Sequence, residues 1–282
     1  MTDVADAGLE TRPASSGAPR PAHRPVALVL RHDSAIGLGN LGPVLEAHGY
    51  EVVTVDAPHE DVTAIDALAP DVLIVLGGDE AAYETDRYPY VGHEIELLRQ
   101  RIAAEAPIFG VCLGAQMLAA ALGGRAYRGP RKEVGWLGVD LTDAGEASPV
   151  RHARGIRFVQ WHGDTFDLPD GVELLASSPE YANQAFRVDD WLLAVQFHPE
   201  VTPAIHEEWL AAWGDELPEY GLTVERMREL QVECAPAAES ASSAILGEFL
   251  DGIAAQSAAG RRAGSSKKSS SSFDAASASI PA

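Results

Sequence analysis

Three short runs in the first half of this chain are apolar along nearly their whole length: Val26-Ala27-Leu28-Val29-Leu30, Val72-Leu73-Ile74-Val75-Leu76 and Ile108-Phe109-Gly110-Val111. A strand with one face in water alternates apolar and polar residues. Runs without that alternation are buried on both faces, the signature of a parallel sheet sandwiched between helices. The intervening segments agree. Leu41 to His48 has a helical pattern and stops at Gly49, a C-cap residue; Glu51 to Val55 reads as another strand. Val91 to Ala104 carries apolar residues at helical spacing, and a further helix starts near Leu113. The second half holds more strand-like pieces, at Val172 to Ala176, Gln184 to Val188 and Trp191 to Phe197, and some antiparallel pairing is expected there. The reading is one α/β domain over residues 25–214, with a mostly parallel central sheet, helices on both faces and antiparallel strands in its second half.

The flanks read differently. Residues 1–24 are rich in Pro, Ala, Ser and Gly and have no periodicity, so a disordered leader is expected; they contain no secretory apolar core. Residues 215–282 form a C-terminal extension. Within it Ile245, Phe249 and Ile253 mark a short helix between Ser240 and Ala255, or else a weakly structured stretch, before a Ser/Ala-rich disordered tail. With 42 acidic against 21 basic residues and a net charge of −21, the chain lacks the basic footprint that nucleic-acid binding needs. No apolar run approaches the roughly 20 residues that span a bilayer. Two cysteines, Cys112 and Cys234, suggest no disulfide framework, consistent with a reducing cytoplasm; Cys234 reads as incidental.

In open α/β sheets ligands gather at the carboxyl ends of strands. Two features sit there: Gly77-Gly78 after the second apolar run and Cys112 after the third. Gly110 and Gly114 flank Cys112 at −2 and +2, which is what a tight strand-to-helix turn requires if its central residue is to project from the sheet edge. A helix N-terminus beside the sulfur favours thiolate, and the Leu113 N–H is placed to meet a developing oxyanion. The motif alone leaves a packed strand-end cysteine as the other reading. The second feature is Gln196-Phe197-His198-Pro199-Glu200. Pro199 drives His198 into an extended conformation, and residues two apart in an extended segment share a face. His198 and Glu200 can then complete a Cys–His–acid arrangement. The plainer alternative is a strand-end histidine followed by an acid before a helix with Thr202 as N-cap and Pro203 at N1, running to Trp213.

Together Gly-Val-Cys-Leu-Gly-Ala-Gln (residues 110–116) and Gln-Phe-His-Pro-Glu (196–200) resemble the two signatures of the class I, triad-type glutamine amidotransferases, in the expected order. Val75-Leu76-Gly77-Gly78, Trp161-His162-Gly163-Asp164 and Lys132-Glu133-Val134-Gly135-Trp136 resemble further elements of that family. The resemblance covers about Pro25 to Trp213 and is to a stand-alone domain similar to that of GMP synthase. It implies a flavodoxin-like fold and hydrolysis of the L-glutamine side-chain amide through a γ-glutamyl thioester. By the same resemblance Cys112 is the nucleophile, His198 the proton carrier and Glu200 its partner. Gly78 and Leu113 supply the oxyanion hole, and Gln116, His162, Gly163 and Asp164 hold the glutamine backbone groups. No metal or organic cofactor is implied. The ammonia acceptor is expected on a separate synthetase or acceptor protein, or else the chain acts as a stand-alone amidase, with no nucleic acid or membrane involved. Alternatives on the same scaffold are a hydrolase of γ-glutamyl conjugates, a cysteine peptidase, and a regulatory or binding subunit without turnover.

Other features read more plainly. His162, Asp164, His198 and Glu200 match no zinc spacing. Gly37, Gly39 and Gly42 satisfy G-x-G-x-x-G, but the helix begins inside the motif, and Asp56 is the nearest candidate for a ribose-binding acid, so dinucleotide binding is not expected. Arg128, Arg131 and Lys132 read as a solvated loop, with contact to an anionic acceptor or to the glutamine carboxylate as the other option. Trp136, Trp161 and Trp191 read as core or edge packing.

Overall fold

The computed structural model describes residues 24–269, with side chains to Gln256. All but the last residue of the expected leader, and the chain from residue 270, lie outside the described residues.

Among the described residues ten strands are formed: β1 (Val26–Arg31), β2 (Glu51–Asp56), β3 (Val72–Val75), β4 (Ile108–Val111), β5 (Arg125–Leu137), β6 (Asp140–Leu141), β7 (Phe158–Asp167), β8 (Glu173–Ser177), β9 (Ala185–Val188) and β10 (Leu192–Val195). The helices are α1 (Gly42–Ala47), α2 (Pro89–Ala103), α3 (Leu113–Ala121), α4 (Asp143–Glu146), α5 (Pro203–Trp213) and α6 (Val224–Ser269). Eight strands make one sheet in the order β2-β1-β3-β4-β10-β9-β8-β6. The pairs from β2 to β10 are parallel, whereas β9, β8 and β6 add antiparallel. This is the mostly parallel sheet with antiparallel strands in the second half that the apolar runs predict.

The reason is visible in β1. Successive side chains of a strand point to opposite faces. Ala27 and Val29 enter one core with Phe109 and the C-terminal helix, while Leu28 and Leu30 enter the other with α2 and α3. Both faces are therefore dry, and no position in the run tolerates a polar side chain. β5 and β7 form a separate antiparallel ribbon, tied back to the sheet by a bridge from Val159 to His198.

The C-terminal helix α6 begins at Val224, well before the start near Ser240 that Ile245, Phe249 and Ile253 suggest, and continues through Pro236. All three residues are buried, as are Leu246 and Leu250. Upstream, the small residues Ala235, Ala238, Ala241 and Ser242 are buried too, so the Ala/Ser-rich composition marks a close helix approach. Cys234 is a buried residue of this helix. Among the described residues no helix is long and apolar enough to cross a membrane.

Candidate active site

β4 runs directly into α3 through Cys112, which adopts φ 52° and ψ −106°. A positive φ on a residue with a side chain costs on the order of 1–3 kcal/mol and persists only where the surroundings enforce it. The surroundings do so here. The Cys112 N–H donates to the Val195 carbonyl at 2.9 Å, and the Gln116 N–H, one turn on, donates to the Cys112 carbonyl at 3.1 Å. The flanking glycines sit in close quarters: a Cβ at residue 114 would lie 2.2 Å from the Val75 carbonyl oxygen, which bars a side chain there, and one at residue 110 would lie 2.5 Å from Leu118 Cδ1, so that side chain would have to move.

His198 stands beside this turn at the end of the strand that pairs with β4. Its backbone N–H donates to Val159 at 3.0 Å. Its Nδ1 lies 2.6 Å from Glu200 Oε1, and the Glu200 side chain is wholly buried. A Cβ at Gly77 would lie 3.2 Å from His198 Cε1 and 3.5 Å from Cys112 Cβ, so the imidazole and the cysteine converge on one point beside Gly77. The buried Nε2 has no hydrogen-bond partner among the described residues, and the Cys112 sulfur is near enough to act on the ring. Burial alone would lower the imidazole pKa, but the Glu200 carboxylate and then the Cys112 sulfur outweigh it and raise the pKa to about 10. The indole of Trp209 closes the site with an edge contact, its ring centre 4.7 Å from that of His198.

Cys112 and His198 open onto a cleft of about 810 Å³, also lined by Gly78, Gln116, His162, Gly163 and Asp164. Glu200 lies behind His198 and does not line it. Leu113 begins α3, so its N–H has no intrahelical acceptor. Gln116 donates from Nε2 to Gln196 Oε1 at 3.2 Å. The His162 ring turns inward: Nδ1 donates to the Asp164 carbonyl at 3.0 Å and Nε2 meets Glu133 Oε2 at 3.2 Å. Glu133 also accepts from Ser178 and Gln184. Burial raises the Asp164 carboxyl above its usual range, with Tyr83 and Arg128 pulling against it. Among the described residues, no group of three or more His, Cys, Asp and Glu side chains is arranged to hold a metal.

The features read as bland are partly drawn into this site. Lys132 pairs with Glu216 at 2.6 Å and, with Arg128 and Arg131, lines the cleft. Trp136 and Trp191 are core, but Trp161 is only half-buried and lines the cleft beside Trp209 and Trp213. The G-x-G-x-x-G stretch holds protein backbone. Asn40 Nδ2 donates to the Pro199 and Val201 carbonyls at 3.1 and 2.9 Å, and the Asn40 N–H donates to the Glu200 carbonyl at 3.0 Å. Sequence reasoning missed Asn40, His32, Glu94 and Glu133, because what each does depends on a contact more than 25 residues away.

The site is a cysteine elbow at a strand end of a doubly wound sheet, beside a histidine paired with a carboxylate. The family described as glutamine amidotransferase class-I matches residues 40–214, and the chain belongs to that family. The chain is similar to a glutamine amidotransferase-like protein, YfeJ, of Salmonella typhimurium: 32% identical over half of this chain and 63% of that one. It is also 36% identical to the GMP synthase [glutamine-hydrolyzing] of Thermomicrobium roseum, over 56% of this chain and 28% of the other. The matches thus span less than two thirds of either relative. Among solved structures, a glutamine amidotransferase from Thermotoga maritima superposes with a TM-score of 0.70 at 29% identity, over 80% of this chain and 98% of that one. A glutamine amido transferase from Methylobacillus flagellatus does so at 0.68 and 25%, over 81% and 95%.

Proposed function

We propose that this chain hydrolyses the side-chain amide of L-glutamine and delivers ammonia to an acceptor on a separate protein. The observation that carries the reading is the buried line from Glu200 through His198 to Cys112, with His198 Nδ1 held at 2.6 Å and Nε2 left for the sulfur. In this reading the Cys112 sulfur attacks the carboxamide carbon while His198 holds the thiol proton. The tetrahedral oxyanion is met by the N–H groups of Gly78 and Leu113, each worth about 2.7–4 kcal/mol of barrier in comparable sites. As the C–N bond breaks, His198 passes its proton to nitrogen and ammonia leaves. Water, deprotonated by His198, then attacks the γ-glutamyl thioester and releases glutamate. Gln116, Gly163 and Asp164, which line the cleft, would read the α-amino and α-carboxylate groups.

The test is glutamate release from glutamine by the wild-type chain and by Cys112→Ala, alone and with candidate acceptor proteins. Turnover lost in the variant supports the assignment, and equal rates would overturn it. One observation favours a second reading: the cleft of about 810 Å³ that Cys112 and His198 line also has the aromatic side chains of Trp161, Trp213 and Tyr220 in its wall, apolar surface that glutamine does not call for. Hydrolysis of a γ-glutamyl conjugate with a bulky amine would use that space. A panel of γ-glutamyl amides that outcompetes glutamine in kcat/KM would select it; glutamine as the best substrate would exclude it.

A further inference from the structure

His32 follows directly on β1, with its side chain fully buried and no part in the chemistry above. Its Nδ1 lies 3.0 Å from the Gly77 carbonyl oxygen, and its Nε2 lies 2.9 Å from Oε2 of Glu94, an equally buried side chain on α2. A carbonyl only accepts, so Nδ1 carries a proton and donates. Burial works against charge on the ring, but Glu94 and the Gly77 carbonyl more than offset it and raise the His32 pKa. Glu94 Oε1 has no partner among the described residues, so the hydrogen bonding of this carboxylate is confined to His32. Taking such a pair out of water is poor value as stabilisation, since well-packed apolar residues of similar volume often do as well or better.

We propose that His32 and Glu94 are a positioning pair that fixes the Gly77–Gly78 peptide so that its N–H faces the Cys112 site. A peptide unit is planar and trans, so the Gly77 C=O and the Gly78 N–H point in opposite directions. Holding one aims the other. Two consecutive glycines need such a clamp, because neither has a side chain to resist rotation of the plane between them. A side chain at 78 is also barred, since a Cβ there would lie 2.7 Å from His32 Cβ and 2.9 Å from Leu113 Cδ2. A donor on the carbonyl polarises the amide and strengthens its N–H. The segment is anchored from α2 a second time: Tyr90, one turn before Glu94, donates to Glu80, two residues past Gly78.

The inference rests on the oxyanion role of the Gly78 N–H, and its test separates the two. Glutaminase kcat and KM, urea unfolding, and the rate of Cys112 alkylation by iodoacetamide, a displacement that builds no oxyanion, are measured on the full chain. His32→Leu is expected to lose about 100-fold in kcat, the scale of one oxyanion donor, with KM within about 3-fold and alkylation within about 3-fold. His32→Asn places an amide donor near the Nδ1 position and is expected to recover to within about 10-fold of wild type, whereas His32→Gln, which mimics Nε2, stays slow. Should His32→Leu not fold, the Asn and Gln variants decide the matter. Equal activity in those two, wild-type kcat in a folded His32→Leu, or a loss carried mainly by KM overturns the inference. Wild-type-like turnover in Cys112→Ala, or no turnover in wild type with its acceptor, overturns the reading underneath it.

Discussion

Gly39 and Glu200 are packed backbone to backbone: a Cβ on residue 39, at φ 43°, would sit 1.8 Å from the Glu200 carbonyl oxygen. The residue that fixes His198 is thus held in place through the main chain by a loop about 160 residues earlier. Asn40 completes the clasp, with its backbone on Glu200 and its side chain on the carbonyls either side. Three neighbouring carbonyls are satisfied by one residue, which fixes the backbone from which the Glu200 side chain reaches the imidazole.

Gly39→Ala is therefore expected to lower stability by at least the roughly 1–3 kcal/mol of a disfavoured positive-φ residue, with more from the clash. Glutaminase activity should fall further than the folded fraction does, because relief of the clash displaces Glu200. Thermal unfolding and glutamate release on the same preparation check this; a variant that is destabilised but equally active per folded molecule would show that Glu200 is positioned by other means.

Asn40 allows a finer version. Asn40→Ala removes two side-chain donors from buried carbonyls and is expected to cost about 1–3 kcal/mol. Asn40→Asp keeps the shape but turns an acceptor towards two acceptors, so it should be the worse of the two at neutral pH in both stability and kcat. An Asp variant that matches the Ala variant would argue against the clasp.

The two kinds of residue in this site differ in how far the sequence exposes them. Cys112 is legible because its constraints are local: glycines two residues either side, a strand before and a helix after. The sheet is legible for a similar reason, since Leu28 and Val29 enter opposite cores and the run must be apolar throughout. His32, Asn40 and Glu94 carry no such local mark. A histidine after a strand, an asparagine in a glycine-rich loop and a glutamate in a helix are unremarkable until the fold brings Gly77, Glu200 and His32 against them. The length of α6 was hidden for the opposite reason: its small residues resemble a solvated tail, yet they are what lets the helix lie close to its neighbours.

The His198–Glu200 pair predicts a pH signature. The folded-state pKa of about 10 lies above the ordinary 6.5, so the pair stabilises the fold fully below pH 6.5, and that contribution fades as pH rises through 10. In Glu200→Gln the larger raising partner is gone, and the Cys112 sulfur alone is left to work against burial. The stability gap between wild type and variant should be on the order of 3–5 kcal/mol near pH 6.5 and narrow steadily towards pH 10. Urea unfolding across that range tests the sign, and parallel stability curves would contradict it. Histidine NMR titration should find the His198 imidazole protonated through neutral pH in wild type and titrating at lower pH in the variant.

The helix α6 lies beyond residues 40–214, the span of the family match, yet it packs against the strand that carries the nucleophile turn. Phe249 of α6 meets Phe109 of β4 with ring centres 5.8 Å apart, and Phe109 stands three residues before Cys112. Phe249→Ala empties a fully enclosed site and is expected to cost about 3–5 kcal/mol. The neighbouring Cys112 turn is fixed independently, by its hydrogen bonds to Val195 and Gln116 and by Gly114 against Val75. Its geometry should therefore survive the cavity. The expected result is a markedly lower unfolding midpoint with kcat and KM near wild type at temperatures where the variant remains folded. A loss of kcat under those conditions would mean that α6 sets the position of β4, and with it the nucleophile, as well as covering the core.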